Sequence, residues 1–361
     1  MNVNNKNCTS IWINSNGNVE VIDQRYLPFE FKTLELNSVD EVCFAIKEMI
    51  IRGAPLIGVV ASFGMYLAAK NCESDNNLVF DANKLKQTRP TAVNLQYAVD
   101  NQLKELIKIS EKTDRIRKSF EIAINFRKEE IHNCFNIGKH GLEIIKEISK
   151  RKNGETVNIL THCNAGWLAC VDYGTATAPI YLAFENNIKV HVWVDETRPR
   201  NQGARLTAWE LGQHGIDFTL IPDNTGGHLM QHGMVDMVIV GSDRTTSNGD
   251  VANKIGTYLK ALAAYDNNVP FYAALPASTI DWNLTDGIKQ IPIETRNEDE
   301  VKYIEGFENN KHTKTLICNE NVKVANYGFD VTPAKYVTGL ITEKGICKAN
   351  KQDIYKLFEK V

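Results

Sequence analysis

The chain lacks the marks that would send it to a membrane, an export route or a nucleic acid. No uninterrupted apolar run is long enough to cross a bilayer. The opening Met1-Asn-Val-Asn-Asn-Lys-Asn7 has no apolar core of the kind a signal peptide needs. Charge is nearly balanced, 41 Lys and Arg against 44 Asp and Glu, so there is no global basic footprint for nucleic acid or anionic lipid. Eight cysteines are scattered along 361 residues without a Cys-x-x-Cys pair. That excludes a disulfide framework and gives no zinc signature, so we expect reduced thiols and a cytoplasmic protein. The Gly-x-x-x-x-Gly-Lys-Ser/Thr loop for nucleotide phosphates is missing. His228 and His232 are four apart, but no glutamate stands beside His228, so the zinc-hydrolase pattern is missing too.

What is present is an ordinary globular composition, 43% hydrophobic and 24% charged, at a length that favours two domains. Trp12-Ile13 and Val19–Ile22 flank Asn14-Ser-Asn-Gly-Asn18, a hairpin signal. Ser38-x-x-Glu41 is a capping box that opens a helix. Apolar spacing then predicts a helix from about Leu56 to Ala69, another ending near Ile109, and one or two long amphipathic helices over 114–150. The pattern changes near residue 150. Strands are predicted at 157–162, 189–194, 216–221, 235–240 and 270–275, with helices near 173–186, 203–213, 225–232 and 251–266. That alternation implies right-handed crossovers and a parallel sheet. Residues 283–326 read as loop-rich, and Thr332-Pro333 as the opening of a last short helix.

Polar residues gather where these strands end. Val157–Thr161 runs into His162-Cys163-Asn164-Ala165-Gly166. A cysteine at the carboxyl end of a strand, beside a glycine turn, sits where α/β sheets bind ligands; the alternative is a buried structural thiol. Asp243 follows the apolar run Met237–Val240, so it should be partly desolvated and suited to general-acid work. The alternative is a structural ion pair with Arg205 or Arg244. Asn253 and Lys254 are placed at the start of a helix, where free N–H groups and an ammonium would suit a phosphate; the alternative is a solvated lysine.

Taken together, Arg52-Gly-Ala-Pro-Leu-Ile-Gly, Arg89-Pro-Thr-Ala-Val-Asn, Thr161-His-Cys-Asn-Ala-Gly, His191-Val-Trp-Val-Asp-Glu-Thr-Arg-Pro, Gln202-Gly-Ala-Arg-Leu-Thr-Ala-Trp-Glu-Leu, Asp243-Arg and Asp250-Val-Ala-Asn-Lys-Ile-Gly-Thr-Tyr resemble the methylthioribose-1-phosphate isomerase family. That family is related to the regulatory subunits of the guanine-exchange factor of translation initiation. The resemblance implies an α/β protein. A small domain of short antiparallel sheet and helical bundle, residues 1–128, would precede a Rossmann-like parallel-sheet domain, residues 129–361. It also implies a homodimer acting on a small sugar 1-phosphate in methionine salvage, with no nucleic-acid or membrane partner. The catalytic pair maps onto Cys163 and Asp243. Substrate contacts map onto Arg52, Gly53, Ala54, Arg89, Gln202, Asn253 and Lys254.

The implied reaction turns an aldose 1-phosphate into a ketose 1-phosphate. Phosphate on the anomeric oxygen prevents ordinary opening to an aldehyde, so the ring oxygen needs an acid, Asp243. Hydrogen then moves from C2 to C1, either as a proton through a Cys163 thiolate or as a direct hydride shift. No metal or organic cofactor is required. Relatives of the family act on 5-deoxyribose 1-phosphate or ribose 1,5-bisphosphate, or sense ligands without catalysis. Trp167, Cys170, Val171 and Asp172 depart from the family's usual small residues after Cys-Asn-Ala-Gly. Trp167 is either a wall for the C5 substituent or a core tryptophan.

Overall fold

The computed structural model describes residues 1–3, 6–72, 74–89 and 93–359. The first part is a three-stranded antiparallel sheet, Ile11–Ile13, Val19–Ile22 and Thr33–Leu36, with the hairpin where the Asn-Gly turn placed it. Four helices follow, Val39–Lys47, Ala54–Asn71, Asp75–Lys86 and Val93–Leu106. Ser38 caps the first by accepting from the Glu41 N–H at 3.2 Å. The second is apolar on nearly every side and correspondingly sits in the middle of the bundle, buried from Pro55 through Met65.

The stretch read as one or two helices is one, Lys112–Arg151. The boundary expected at 128/129 falls inside it. Ala123 and Phe126 pack into the core of the helical bundle, whereas Ile137, Leu142, Ile145 and Ile148 pack against the large sheet.

That sheet has seven strands. In spatial order they are Gly345–Cys347, Gly339–Thr342, Phe271–Ala274, Met237–Val240, Val157–Thr161, Val190–Asp195 and Asp217–Ile221. All pairings are parallel except that of Gly345–Cys347. Met237 and Ile239 join the core on one face, Val238 and Val240 the core on the other. Such alternation within an unbroken apolar strand marks a sheet covered on both sides.

Three sequence expectations change. Asn253 and Lys254 do not open a helix; they end the strand Val251–Lys254, and the helix begins at Thr257. That strand belongs to a second, four-stranded sheet, where Lys254 pairs with Phe329 and Asn253 with Asp330. β-branched Val251 and burial of both strand faces outweigh the helical spacing read over 251–266. The region read as loop-rich contains a hairpin, Tyr303–Glu308 with Lys311–Leu316. Its strands carry charged residues on both faces, so no alternating apolar signal betrays them. The segment after Thr332-Pro333 is only one 3₁₀ turn, Ala334–Tyr336.

Candidate active site

The chain enters the large sheet at Val157–Thr161, builds outward through Val190–Asp195 and Asp217–Ile221, then crosses back to Met237–Val240 on the opposite side. The gap between the first strand and Met237–Val240 is therefore a topological switch point, the place where open α/β sheets hold ligands. Cys163 follows one of those strands and Asp243 the other, and both line a single cavity. It has about 410 Å³ of empty space, part of it open to solvent.

Each catalytic candidate is held by the loop that carries it. Cys163 takes a left-handed backbone conformation, φ +68°. A non-glycine residue there costs about 1–3 kcal/mol and persists where neighbours over-determine it. Here the Cys163 N–H donates to Thr197 Oγ1 at 2.9 Å and its carbonyl accepts from Thr207 Oγ1 at 2.7 Å. The Asp243 N–H donates to the Ala252 carbonyl at 2.9 Å. The arginines considered as ion-pair partners for Asp243 are engaged by other acids, Arg205 by Glu305 and Arg244 by Asp281.

The cations come from elsewhere in the chain. Arg52 reaches across from the N-terminal part, its Nη2 3.8 Å from Cys163 Sγ. Gly53 makes that approach possible: its φ is +92°, and a Cβ there would lie 2.3 Å from the Ala169 carbonyl. Arg89, Lys254, Arg296, Gln202, Met49 and Phe329 complete most of the wall. Gln202 Oε1 is buried without a hydrogen-bond partner among the described residues, an acceptor suited to a sugar hydroxyl. Ala54 lines an adjoining cavity together with Arg89 and Asp243. Asn253 lies behind the wall, donating to Thr257 Oγ1 at 3.0 Å. Pro90, Thr91 and Ala92 lie outside the described residues.

Burial dominates the titration of these groups. It pushes the Asp243 carboxyl above its usual range, against the pull of Arg89, Arg52 and Lys254. It raises the Cys163 thiol, with Arg52 and Lys254 opposing. It lowers the Lys254 ammonium. A carboxyl raised by burial and a thiol on which two cations oppose the effect of burial suit proton transfer to and from one small anion.

Met49, Arg296 and Phe329 line the cavity without being named as site residues from the sequence, although the Phe329-Asp-Val-Thr-Pro stretch also fits the family pattern. Arg296 lies in the stretch read as irregular, and no local pattern singles it out. It is bound to Glu294 at 2.8 Å and Glu300 at 2.7 Å. Trp167 is core: only 1% exposed, it packs on Trp209 with ring centroids 6.0 Å apart. Asp172 holds the Met1 ammonium at 2.7 Å. His162 points away from Cys163, Nδ1 toward Asp195 at 2.8 Å and Nε2 toward the Ile255 carbonyl at 2.8 Å. It therefore offers no cysteine–histidine pair for hydrolysis. His162, Asp195 and Asp223 bring ligand atoms within 4.8 Å of one another, but the Lys260 ammonium already lies 3.0 Å from Asp195 Oδ2.

Fold and cleft define the class: a Rossmann-like α/β protein with a buried acid, a thiol and several cations at the switch point. Residues 50–349 match the initiation factor 2 subunit family. The methylthioribose-1-phosphate isomerase of Desulfatibacillum aliphaticivorans is 56% identical over 364 residues, covering 99% of each chain. Among solved structures, 5-methylthioribose 1-phosphate isomerase from Pyrococcus horikoshii superposes with a TM-score of 0.85 at 38% identity, over 98% of this chain and 96% of that one. The translation initiation factor eIF-2B subunit delta from A. fulgidus gives 0.81 at 36% identity, over 98% and 100%. The chain belongs to the methylthioribose-1-phosphate isomerase family, a branch of the initiation factor 2 subunit family.

Proposed function

We propose that this protein converts 5-methylthioribose 1-phosphate to 5-methylthioribulose 1-phosphate in methionine salvage. The observation that carries the reading is the meeting of Cys163 and Asp243 in one cavity with Arg52, Arg89 and Lys254, in a chain 56% identical to an isomerase of that name. Asp243, its proton affinity raised by burial, gives its proton to the ring oxygen as the C1–O ring bond breaks. The hydrogen on C2 then moves to C1, and the C2 hydroxyl loses its proton to become the ketone. The Asp243 carboxylate left by the first step is the acceptor for that proton. Electrons only shift within the substrate, so no external oxidant or reductant is involved. Cys163 lies where it can carry the C2 hydrogen as a proton or wall off the hydride path from water. Arg52, Arg89 and Lys254 hold the phosphate, turning binding energy into alignment.

Phosphorus NMR of purified protein with methylthioribose 1-phosphate tests the reading directly. The aldose 1-phosphate resonance should be replaced by that of the ketose 1-phosphate; an unchanged spectrum would overturn it. A non-catalytic, ligand-sensing role like that of the regulatory relatives is disfavoured by the acid–thiol pair, which a sensor does not need. The expected homodimer and cytoplasmic location accompany this reading, and sedimentation at micromolar concentration reports the first. No described helix is long and apolar enough to cross a membrane.

A further inference from the structure

Glu210 stands one layer behind the cavity and has no part in the scheme above. It is 1% exposed, yet it is an acid, contributed by the short helix Ala208–His214. Its Oε1 accepts from Asn164 Nδ2 at 3.0 Å and from the Leu168 N–H at 2.8 Å, and its Oε2 accepts from the Tyr181 hydroxyl at 3.2 Å. Space for it is reserved, because a Cβ on Gly166 would lie 1.7 Å from Glu210 Oε2. The glycine of the Cys-Asn-Ala-Gly run is thus required by this carboxyl group.

Asn164 is the link to the cleft. Its Nδ2 is committed to Glu210 and to Thr207 Oγ1 at 3.2 Å. That leaves its Oδ1 facing the other way, where Arg52 Nη1 donates to it at 2.6 Å. Arg52 Nη2 donates to the Asn164 carbonyl at 2.9 Å and lies 3.8 Å from Cys163 Sγ. Arginine has only donors, so an Asn164 amide turned the other way would face it donor to donor. We propose that Glu210 is a positioning residue: by fixing which end of the Asn164 amide faces Arg52, it sets the guanidinium against the Cys163 sulfur. The consequence for the reaction rests on the reading of Cys163 given above; the geometry does not.

The charge on Glu210 is secondary to its shape. Burial pushes its carboxyl up to about 7 despite the three hydrogen bonds it accepts. A glutamine can keep the same contacts, its amide oxygen accepting from Asn164 and Leu168 and its amide nitrogen donating to the Tyr181 oxygen.

The test reads the sulfur directly. Alkylation of Cys163 by iodoacetamide, followed by peptide mass against pH, gives the midpoint of its ionisation. Arg52 opposes the effect of burial on this thiol. Glu210→Ala should therefore raise the midpoint by about one pH unit and lower kcat by about tenfold or more, as expected of a misplaced group. Glu210→Gln should restore both. A purely structural role would lower the melting temperature of Glu210→Ala and leave the midpoint where it was. An unmoved midpoint, or a glutamine variant shifted as far as the alanine one, overturns the proposal. If Glu210→Ala does not fold, Asn164→Ala must show the same rise, since Glu210 there keeps Leu168 and Tyr181; no rise overturns it equally. Failure of the isomerase reading would look different: no variant would form ketose, while the alkylation shift would persist.

Discussion

At the scale of single residues, the proposed reaction separates groups that react from groups that hold. Cys163 and Asp243 face the cavity with shifted proton affinities, and both should be needed for turnover. Cys163→Ser and Asp243→Asn should each lower kcat by about 10²-fold or more, with little change in KM. Near-normal turnover in either variant removes that residue from the mechanism. The aromatic residues divide in the same way. Trp167 is buried against Trp209, so Trp167→Ala should cost about 3–5 kcal/mol of stability and leave substrate preference alone. The apolar cavity wall is Met49 and Phe329, which suits a methylthio group. Arg296 is engaged by two glutamates, which leaves little unpaired positive charge for a second phosphate. Sulfur–aromatic contact contributes only about 0.3–1.5 kcal/mol. The methylthio sugar should therefore lead 5-deoxyribose 1-phosphate by no more than roughly tenfold in kcat/KM, and ribose 1,5-bisphosphate should be poor. Phe329→Ala should erode that order; best activity on the bisphosphate would refute the apolar-wall assignment.

Among the elements, the helix Lys112–Arg151 holds an oddity. Its buried stripe runs Ser119, Ala123, Phe126, Glu130, Cys134, Ile137 and on to Ile148 at helical spacing, with an acid in a core position. Glu130 Oε2 has no hydrogen-bond partner among the described residues, and burial, reinforced by Glu129 and Glu343, pushes the carboxyl up to about 8. Below the unfolded value of about 4.5 both states are protonated and the group is neutral toward folding. As pH rises from there, the unfolded chain releases its proton first, so stability falls until the folded carboxyl ionises near 8. The loss is on the order of a few kcal/mol. Melting curves from pH 5 to 8 should slope downward for the wild type and be flatter for Glu130→Gln; parallel slopes would show that Glu130 is not the source.

Across the whole molecule, the site is assembled from distant stretches. Arg52 and Arg89 come from the N-terminal part, Cys163, Gln202, Asp243 and Lys254 from the large α/β part. We retain 1–128 and 129–361 as the proposed division; the long helix carries core residues of both sides. In the proposed reading charge from both parts holds the phosphate, so Arg89→Ala and Lys254→Ala should mainly raise KM, by about tenfold for a lost charged contact. Activity should survive exhaustive chelation. A kcat effect without a KM effect, or loss on chelation with recovery on adding a divalent ion, would speak against phosphate binding by side chains alone.

Local chemistry carried much of this in the order of residues. Five parallel strands were legible because each is a short apolar run bounded by turn residues. The first hairpin was legible from its Asn-Gly turn, and the Ser38 cap from its spacing. That Cys163 and Asp243 line the cleft was legible because polar residues directly follow apolar strands; their catalytic pairing comes from the family resemblance and is part of the proposal. Other features depend on contacts between residues far apart in the chain. Lys254 ends a strand because Val251–Lys254 finds Phe329–Thr332 to pair with, and no local window contains that partner. Trp167 is core because Trp209 lies against it. Arg296 reaches the cleft from a stretch with no periodic signal. Glu210 is tied to Cys163 through Asn164 and Arg52, across separations of 46 and 112 residues. Short-range spacing records which residues can form a strand or a cap; only chain closure decides which side chains are left to meet, because burial and hydrogen-bond satisfaction are properties of the assembled neighbourhood.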